Sequence, residues 1–195
     1  MNARIKDYVS QILARLPARP PAVRAATEDP SAVADEIFSI LTGREFCYLS
    51  RGRTAPYRET TTALLKRDIE RGEPVRFYYD IGAGYHASIH PGESGLVFNV
   101  GFSELCVLAQ IASFCNRVAG IYRAGARFVL VIDNLCGLVT NAIPVDDTLG
   151  YCSELRTLIE QTGMHDRVEV LVESEQFDAA GYAIDHGRLA ADAAA

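Results

Sequence analysis

Lysine is nearly missing from this chain. Of 19 basic residues only Lys6 and Lys66 are lysines, and the rest are arginines. A lysine amine can shed its proton when buried and form a Schiff base, whereas an arginine stays charged. Imine chemistry on the protein therefore has two candidates. Tryptophan is absent and tyrosine is plentiful, at nine residues, so stacking and phenol donors must come from Tyr. No window approaches the ~18 consecutive apolar residues of a membrane span, so no membrane association is expected. The N-terminal apolar residues are interrupted by Lys6, Asp7 and Arg15, unlike the continuous apolar stretch of a secretory signal. A Gly-Lys-Ser/Thr phosphate loop is lacking, and so is any internal repeat. The net charge of −6 disfavours nucleic acid as a partner, because such binding draws on a basic surface.

The five cysteines, Cys47, Cys106, Cys115, Cys136 and Cys152, contain no Cys-x-x-Cys pair and are odd in number. Buried free thiols in a reducing cytoplasm are the expectation. Cys136 is the best placed should one of them be catalytic.

What is present fits a globular core. Hydrophobic residues make up 49% and charged residues 23% of 195 positions, which suits one domain, or one domain with an arm. Ile5, Tyr8, Val9, Ile12, Leu13 and Leu16 follow a helical period, and Pro17, Pro20 and Pro21 end that helix. Asp29-Pro30 is a cap followed by a first helical residue, opening a helix that buries Val33, Ile37, Phe38 and Leu41 and ends at Gly43. Residues 44–58 look irregular and basic. A helix over 59–71 follows, with Leu64, Leu65 and Ile69 among its apolar positions. Val75–Ile81 is rich in β-branched and aromatic residues, and Leu96–Val100 suggests a short strand. Residues 102–122 form the longest helical signal. Phe128–Ile132 is a continuous apolar run of the kind buried on both faces of a parallel sheet. A helix capped by Asp146 or Asp147 then runs to Gly163, and residues 167–173 form the third strong strand. The fold class expected is α/β: a single Rossmann-like domain over 29–177 with a parallel sheet. A helical arm and proline-bearing linker over 1–28 precede it, and a frayed tail over 178–195 follows. The apolar face of the arm could pack on the sheet or exchange into a homodimer.

Ligands in open α/β sheets sit beyond the carboxyl ends of the strands. The loop after the first strand reads DIGAGYHASIHPGESG. Its Gly82-x-Gly84 lacks the third glycine and the following helix of a dinucleotide fingerprint. It holds His86 and His90, two of only four histidines, with Tyr85 and Ser88 beside them. Three readings stay open for the histidines: a general base, ligands to Fe(II) or Zn(II) aided by Glu93, Glu104 or Asp133, or imidazoles bonded to backbone. No cofactor is required by any motif. Asp133-Asn134 ends the most apolar strand, either facing the ligand crevice or serving as a turn. Arg51, Arg53 and Arg58 could clamp a carboxylate or phosphate.

Over residues 66–177 the order of features resembles the isonitrile synthase family of the pyoverdine-cluster and dityrosine-formation type. The shared pattern begins with a helix ending in Gly-x-Pro before a strand, here Ile69 to Phe77. An acidic residue, Glu104, then opens a long helix. Ile121-Tyr122-Arg123-Ala124-Gly125-Ala126-Arg127 leads into a strand ending at Asp133-Asn134. The helix Tyr151–Ile159, another strand and Phe177 complete it. The resemblance implies a Rossmann-like fold and an amino-acid substrate on whose nitrogen an isonitrile is built with a carbon from ribulose 5-phosphate. Family members are longer, and their loop after the first strand carries a lysine where this chain has Gly84-Tyr85-His86-Ala87-Ser88.

The function expected is thus that of a small cytoplasmic natural-product biosynthetic enzyme acting on an amino acid or an amino-acid-derived molecule. His86, His90, Asp133 and Glu104 would be catalytic; Arg51, Arg53, Tyr85, Ser88 and Asn134 would bind substrate. The alternative is a non-catalytic partner subunit that keeps the fold. An aminoacyl-tRNA-dependent enzyme of cyclodipeptide-synthase type fits less well, because His90-Pro91-Gly92-Glu93-Ser94 is a poor serine elbow.

Overall fold

A computed structural model describes residues 29–46, 51–81, 87–89, 96–98, 100–141, 143–185 and 187–189, together with Gln11. The helix expected over residues 3–16 otherwise lies outside the described residues. The chain divides into two compact units, residues 1–77 with 106–127, and residues 78–105 with 128–195.

The first unit is mainly helical. Helix α1, Pro30–Leu41, begins where Asp29 accepts a hydrogen bond from the Ser31 N–H and Pro30 takes the first turn, where its missing N–H costs nothing. Its period of three and four buries Val33, Ala34, Ile37 and Phe38. A short helix α2, Arg51–Thr54, and a 3-10 turn, Ala55–Tyr57, lead into helix α3, Arg58–Glu70. The stretch expected to be irregular is therefore helical from Arg51 onward; hydroxyl and proline residues hid the short turns. Helix α3 packs along α1 and buries Leu65 alone, while Leu64 is 50% exposed. Surface contacts add to that single buried residue: Arg58 reaches Asp35 at 2.7 Å and lies over the Phe38 ring.

Strand β1 is Val75–Ile81. Helix α4, Phe102–Ala119, is shorter than the 102–122 expected. The Gly120 N–H is shared between the Asn116 and Arg117 carbonyls, the Ile121 and Tyr122 N–H groups both close on the Val118 carbonyl, and the Tyr122 hydroxyl donates to the Glu73 carbonyl. Within the first unit α4 buries Leu108, Ile111, Ala112, Phe114, Cys115 and Val118. Phe114 meets Phe46 and Phe77 edge-on at 5.3 and 5.0 Å, the arrangement favoured by ring quadrupoles. Gly125 has φ +74, a conformation a side chain would strain, and it turns the chain into strand β4, Ala126–Ile132.

In the second unit Ala87–Ile89 (β2) and Leu96–Phe98 (β3) pair antiparallel, with Ser88 opposite Val97. Strand β4 pairs parallel with β5, Val168–Val172, from Phe128 opposite Val168 to Ile132 opposite Val172. Between them lie α5, Asn134–Asn141, and α6, Val145–Gln161. Helix α5 corrects the expectation of a loop over 133–145. Its eight residues carry a central glycine, Gly137, and fall below the length at which periodicity is readable. Helix α6 starts after Pro144, so Asp146 and Asp147 occupy its first turn rather than the cap, where carboxylates complement the helix dipole. It buries Val145, Thr148, Tyr151, Cys152, Leu155 and Ile159. Gly163, at φ +67, ends the helix and delivers Met164 to full burial. The chain leaves β5 directly into α7, Glu173–Ala179, a helix the periodicity did not reveal.

The architecture is mixed α/β. The strand order is β1-β4-β5 in a small open parallel sheet, with β2-β3 as a separate ribbon. The apolar run predicted to be a buried strand is the central one: Val129, Leu130 and Ile132 are all at most 3% exposed. Among the described residues no helix is long and apolar enough to cross a membrane.

Candidate functional site

The carboxyl ends of β4 and β5 lie side by side in the second unit. Ile132 and Val172 are register partners, so the next residues, Asp133 and Glu173, leave neighbouring strands whose spacing is about 4.8 Å. Each strand end is followed at once by a helix. The Asp133 carbonyl accepts from the Gly137 N–H at 2.9 Å, which places Asp133 at the N-cap of α5. The carboxylate of Glu173 accepts from the Leu135 and Cys136 N–H groups at 3.2 and 3.4 Å. These are the first amides of α5, the position at which α/β proteins commonly receive an anion. Here the protein supplies its own.

The two turns are joined a second time. Asn134 is fully buried and Ser174 is 3% exposed. The Asn134 side-chain amide donates to Ser174 Oγ at 2.8 Å, and its oxygen accepts from the Ser174 N–H at 3.0 Å. Both ends of the amide are thereby used between the β4–α5 and β5–α7 turns.

Glu104 stands in the first turn of α4. One of its oxygens accepts from the Gly101 N–H at 2.7 Å and from the Ser103 hydroxyl at 2.9 Å, the back-bonding of a capping box. The other accepts from the Tyr151 hydroxyl at 3.3 Å. Burial, and then the neighbouring Glu104 carboxylate, push the Tyr151 phenol well above its ordinary range. Tyr151 is therefore a proton donor held neutral against a carboxylate. Nearby, Glu154 accepts from the Val100 N–H.

One further pair underlies β5. Arg156 grips both oxygens of Glu175, at 2.9 and 2.6 Å, and also reaches the Val170 carbonyl. The Arg156 hydrogen bonds hold the Glu175 carboxyl below its usual range and raise the guanidinium further. Cys152 is fully buried, and burial pushes its thiol up to about 11, with Arg156 opposing and Glu175 adding to the shift. It is a packing thiol at neutral pH. Cys136, on the first turn of α5, is exposed.

The second unit also carries a hollow of about 250 Å³ lined by Leu138, Pro144, Val145, Asp146 and Gly187. Among the described lining residues the charged one is again a carboxylate.

Of the residues expected to form the site, Asp133, Asn134 and Glu104 all belong to the second unit. Asp133 is half-buried, Asn134 serves the turn-to-turn bond, and Glu104 caps α4. Arg51 and Arg53 lie on α2 in the first unit; Arg53 is exposed, and the side chain of Arg51 is outside the described residues. Tyr85, His86 and His90 fall outside the described residues, and of Ser88 the backbone alone is described, as part of β2. Among the described residues no three His, Cys, Asp or Glu side chains gather as a metal site. The residues that sequence reasoning missed are Glu173, Ser174, Tyr151 and the Arg156–Glu175 pair. Glu173 had one signal: an acidic residue directly after the apolar alternation of β5.

Comparison of the chain with protein-family models, with curated proteins and with solved structures returns no match.

Proposed function

We propose that this chain is a small natural-product biosynthetic enzyme with a Rossmann-like domain and isonitrile-synthase ancestry, acting on an amino acid or a molecule derived from one. The observation that carries the proposal is that Asp133 and Glu173 directly follow the register partners Ile132 and Val172 at the carboxyl ends of β4 and β5. A strand end furnished with carboxylates suits an ammonium group. It suits a phosphate poorly, since the first amides of α5 already hold the Glu173 carboxylate. The substrate amine would meet Asp133, with Glu173 completing the negative edge. His86 or His90 would move the proton that frees the amine, and either could share Fe(II) or Zn(II) with Asp133. The two lysines leave imine chemistry to Lys6, to Lys66 or to small-molecule amines.

Titration calorimetry with the proteinogenic amino acids, and with the matching amines and N-acetyl derivatives, tests this. Binding that needs the free amine, and that weakens about tenfold or more in Asp133→Asn, is the expected result. The proposal fails if no amino acid binds at millimolar concentration and the double variant H86A/H90A behaves as wild type in the producing cells.

A second reading is favoured by the same bond from Glu173 to α5. A helix N-terminus closed by the protein itself is what a non-catalytic partner subunit retaining the fold would tolerate. Co-purification of a stable heteromeric complex, with no amino-acid binding by the isolated chain, is the outcome that selects it.

A further inference from the structure

The outer edge of β1 has a property independent of the strand-end site. Among the described residues the order is β1-β4-β5, with β1 at one margin of the sheet, and an edge strand offers a row of unpaired amides and carbonyls. The phase of that row is set by the Val75 N–H, which donates to the Gly125 carbonyl at 3.1 Å, on the side from which β4 begins. Along a strand the backbone groups alternate in direction. The N–H and C=O groups of Arg76, Tyr78 and Asp80 therefore point away from β4.

These same three residues are antisymmetric in charge. Arg76 and Asp80 are placed symmetrically about Tyr78, and all three side chains are exposed, Tyr78 to 66%. The two charges are about 13 Å apart along their own strand, too far to pair with each other. We propose that two copies of this chain join edge to edge through β1, antiparallel about a twofold axis at Tyr78. In that register Tyr78 faces Tyr78 of the second copy, and Arg76 of each copy faces Asp80 of the other. The outward-pointing groups are also the ones placed opposite each other, so each facing pair exchanges both backbone hydrogen bonds. Opposite charges directly across an antiparallel pair stabilise it, and like charges oppose it. On the other face Phe77 and Tyr79 become cross-strand neighbours, and Tyr79 is 51% exposed. A shift of register by one residue would set inward-pointing groups against outward ones and lose the charge match. A strand edge with both charge signs in mirror order is complementary to itself, which selects a second copy over an acidic or basic foreign strand.

Sedimentation velocity with light scattering on the full chain tests the proposal. At tens of micromolar the expected mass is twice the 21.3 kDa of one chain. Arg76→Asp sets like charges opposite each other at both symmetric positions and is expected to weaken the dimer about tenfold or more; Asp80→Arg does the same. The exchanged variant R76D/D80R restores the charge match and is expected to recover the dimer. Tyr78→Pro deletes an outward amide, which an edge strand tolerates, and is expected to give a folded monomer by circular dichroism. A monomeric wild type, a dimer indifferent to Arg76→Asp, or an exchanged variant that stays monomeric would each overturn the proposal.

Discussion

Replacing Asn134 by alanine separates a structural role from a ligand-binding one. The Asn134 side chain makes two hydrogen bonds to Ser174, at 2.8 and 3.0 Å, from a site with no solvent exposure. Each bond contributes about 1 kcal/mol net, and the Ser174 N–H left without its acceptor adds about 1–2 kcal/mol of desolvation, since it is buried. Asn134→Ala should therefore cost about 3 kcal/mol, a large part of the 5–15 kcal/mol typical of a folded domain. With a urea slope of about 2.5 kcal/mol per molar, the midpoint should fall by about 1 M. Ser174→Ala removes the hydroxyl bond but keeps the backbone donor and should cost about 1 kcal/mol. Because the two variants share the hydroxyl bond, the double variant should fall short of additivity by about 1 kcal/mol. Equilibrium urea unfolding of the four proteins, followed by far-ultraviolet dichroism, measures all of this. A loss under about 1 kcal/mol for Asn134→Ala, or a strictly additive cycle, would refute the reasoning. If amino-acid binding were lost while stability stayed unchanged, Asn134 would be a substrate contact, as its position after the central strand suggested.

Three further outcomes are expected. The Glu175 carboxyl is held low by Arg156, so its contribution to stability is present above the ordinary carboxylate range and is lost as pH falls through its depressed folded value. Urea midpoints should decline from about pH 5 downward, more steeply in wild type than in Glu175→Gln, by at most about 1 kcal/mol because both partners are about 40% exposed. Disulfide reagent at pH 8 should modify exposed Cys136 within minutes and spare Cys152, whose thiol is buried and pushed up to about 11; peptide mass mapping checks the order, and early labelling of Cys152 contradicts it. Gly163→Ala forces a side chain into φ +67 and should cost about 1 kcal/mol, visible as a lower thermal midpoint.

Local patterns carried most of the element order. The cap at Asp29-Pro30, the apolar run of β4 and the alternation in β5 each declare themselves within a few residues, because burial on one face or both imposes a period on the chain. They also placed Asp133 at the end of the central strand. The short helices α2, α5 and α7 escaped, since fewer than about ten residues hold too few turns for a period to emerge. The exposure of Leu64 and Tyr79 escaped as well, because an apolar side chain is buried only if a partner element lies over it.

What the sequence by itself determined is therefore the parallel α/β alternation, the strand ends and the scarcity of lysine that narrows imine chemistry. The partners reached across the chain were decided by tertiary structure alone. Glu173 meets α5 from 38 positions away, Asn134 locks to Ser174 across 40, and Glu104 serves Tyr151 across 47. No local pattern encodes those distances. The first two follow from strand register, which sets β4 and β5 ending level and so turns two acidic residues, distant in sequence, into neighbours; the third follows from the packing of two helices.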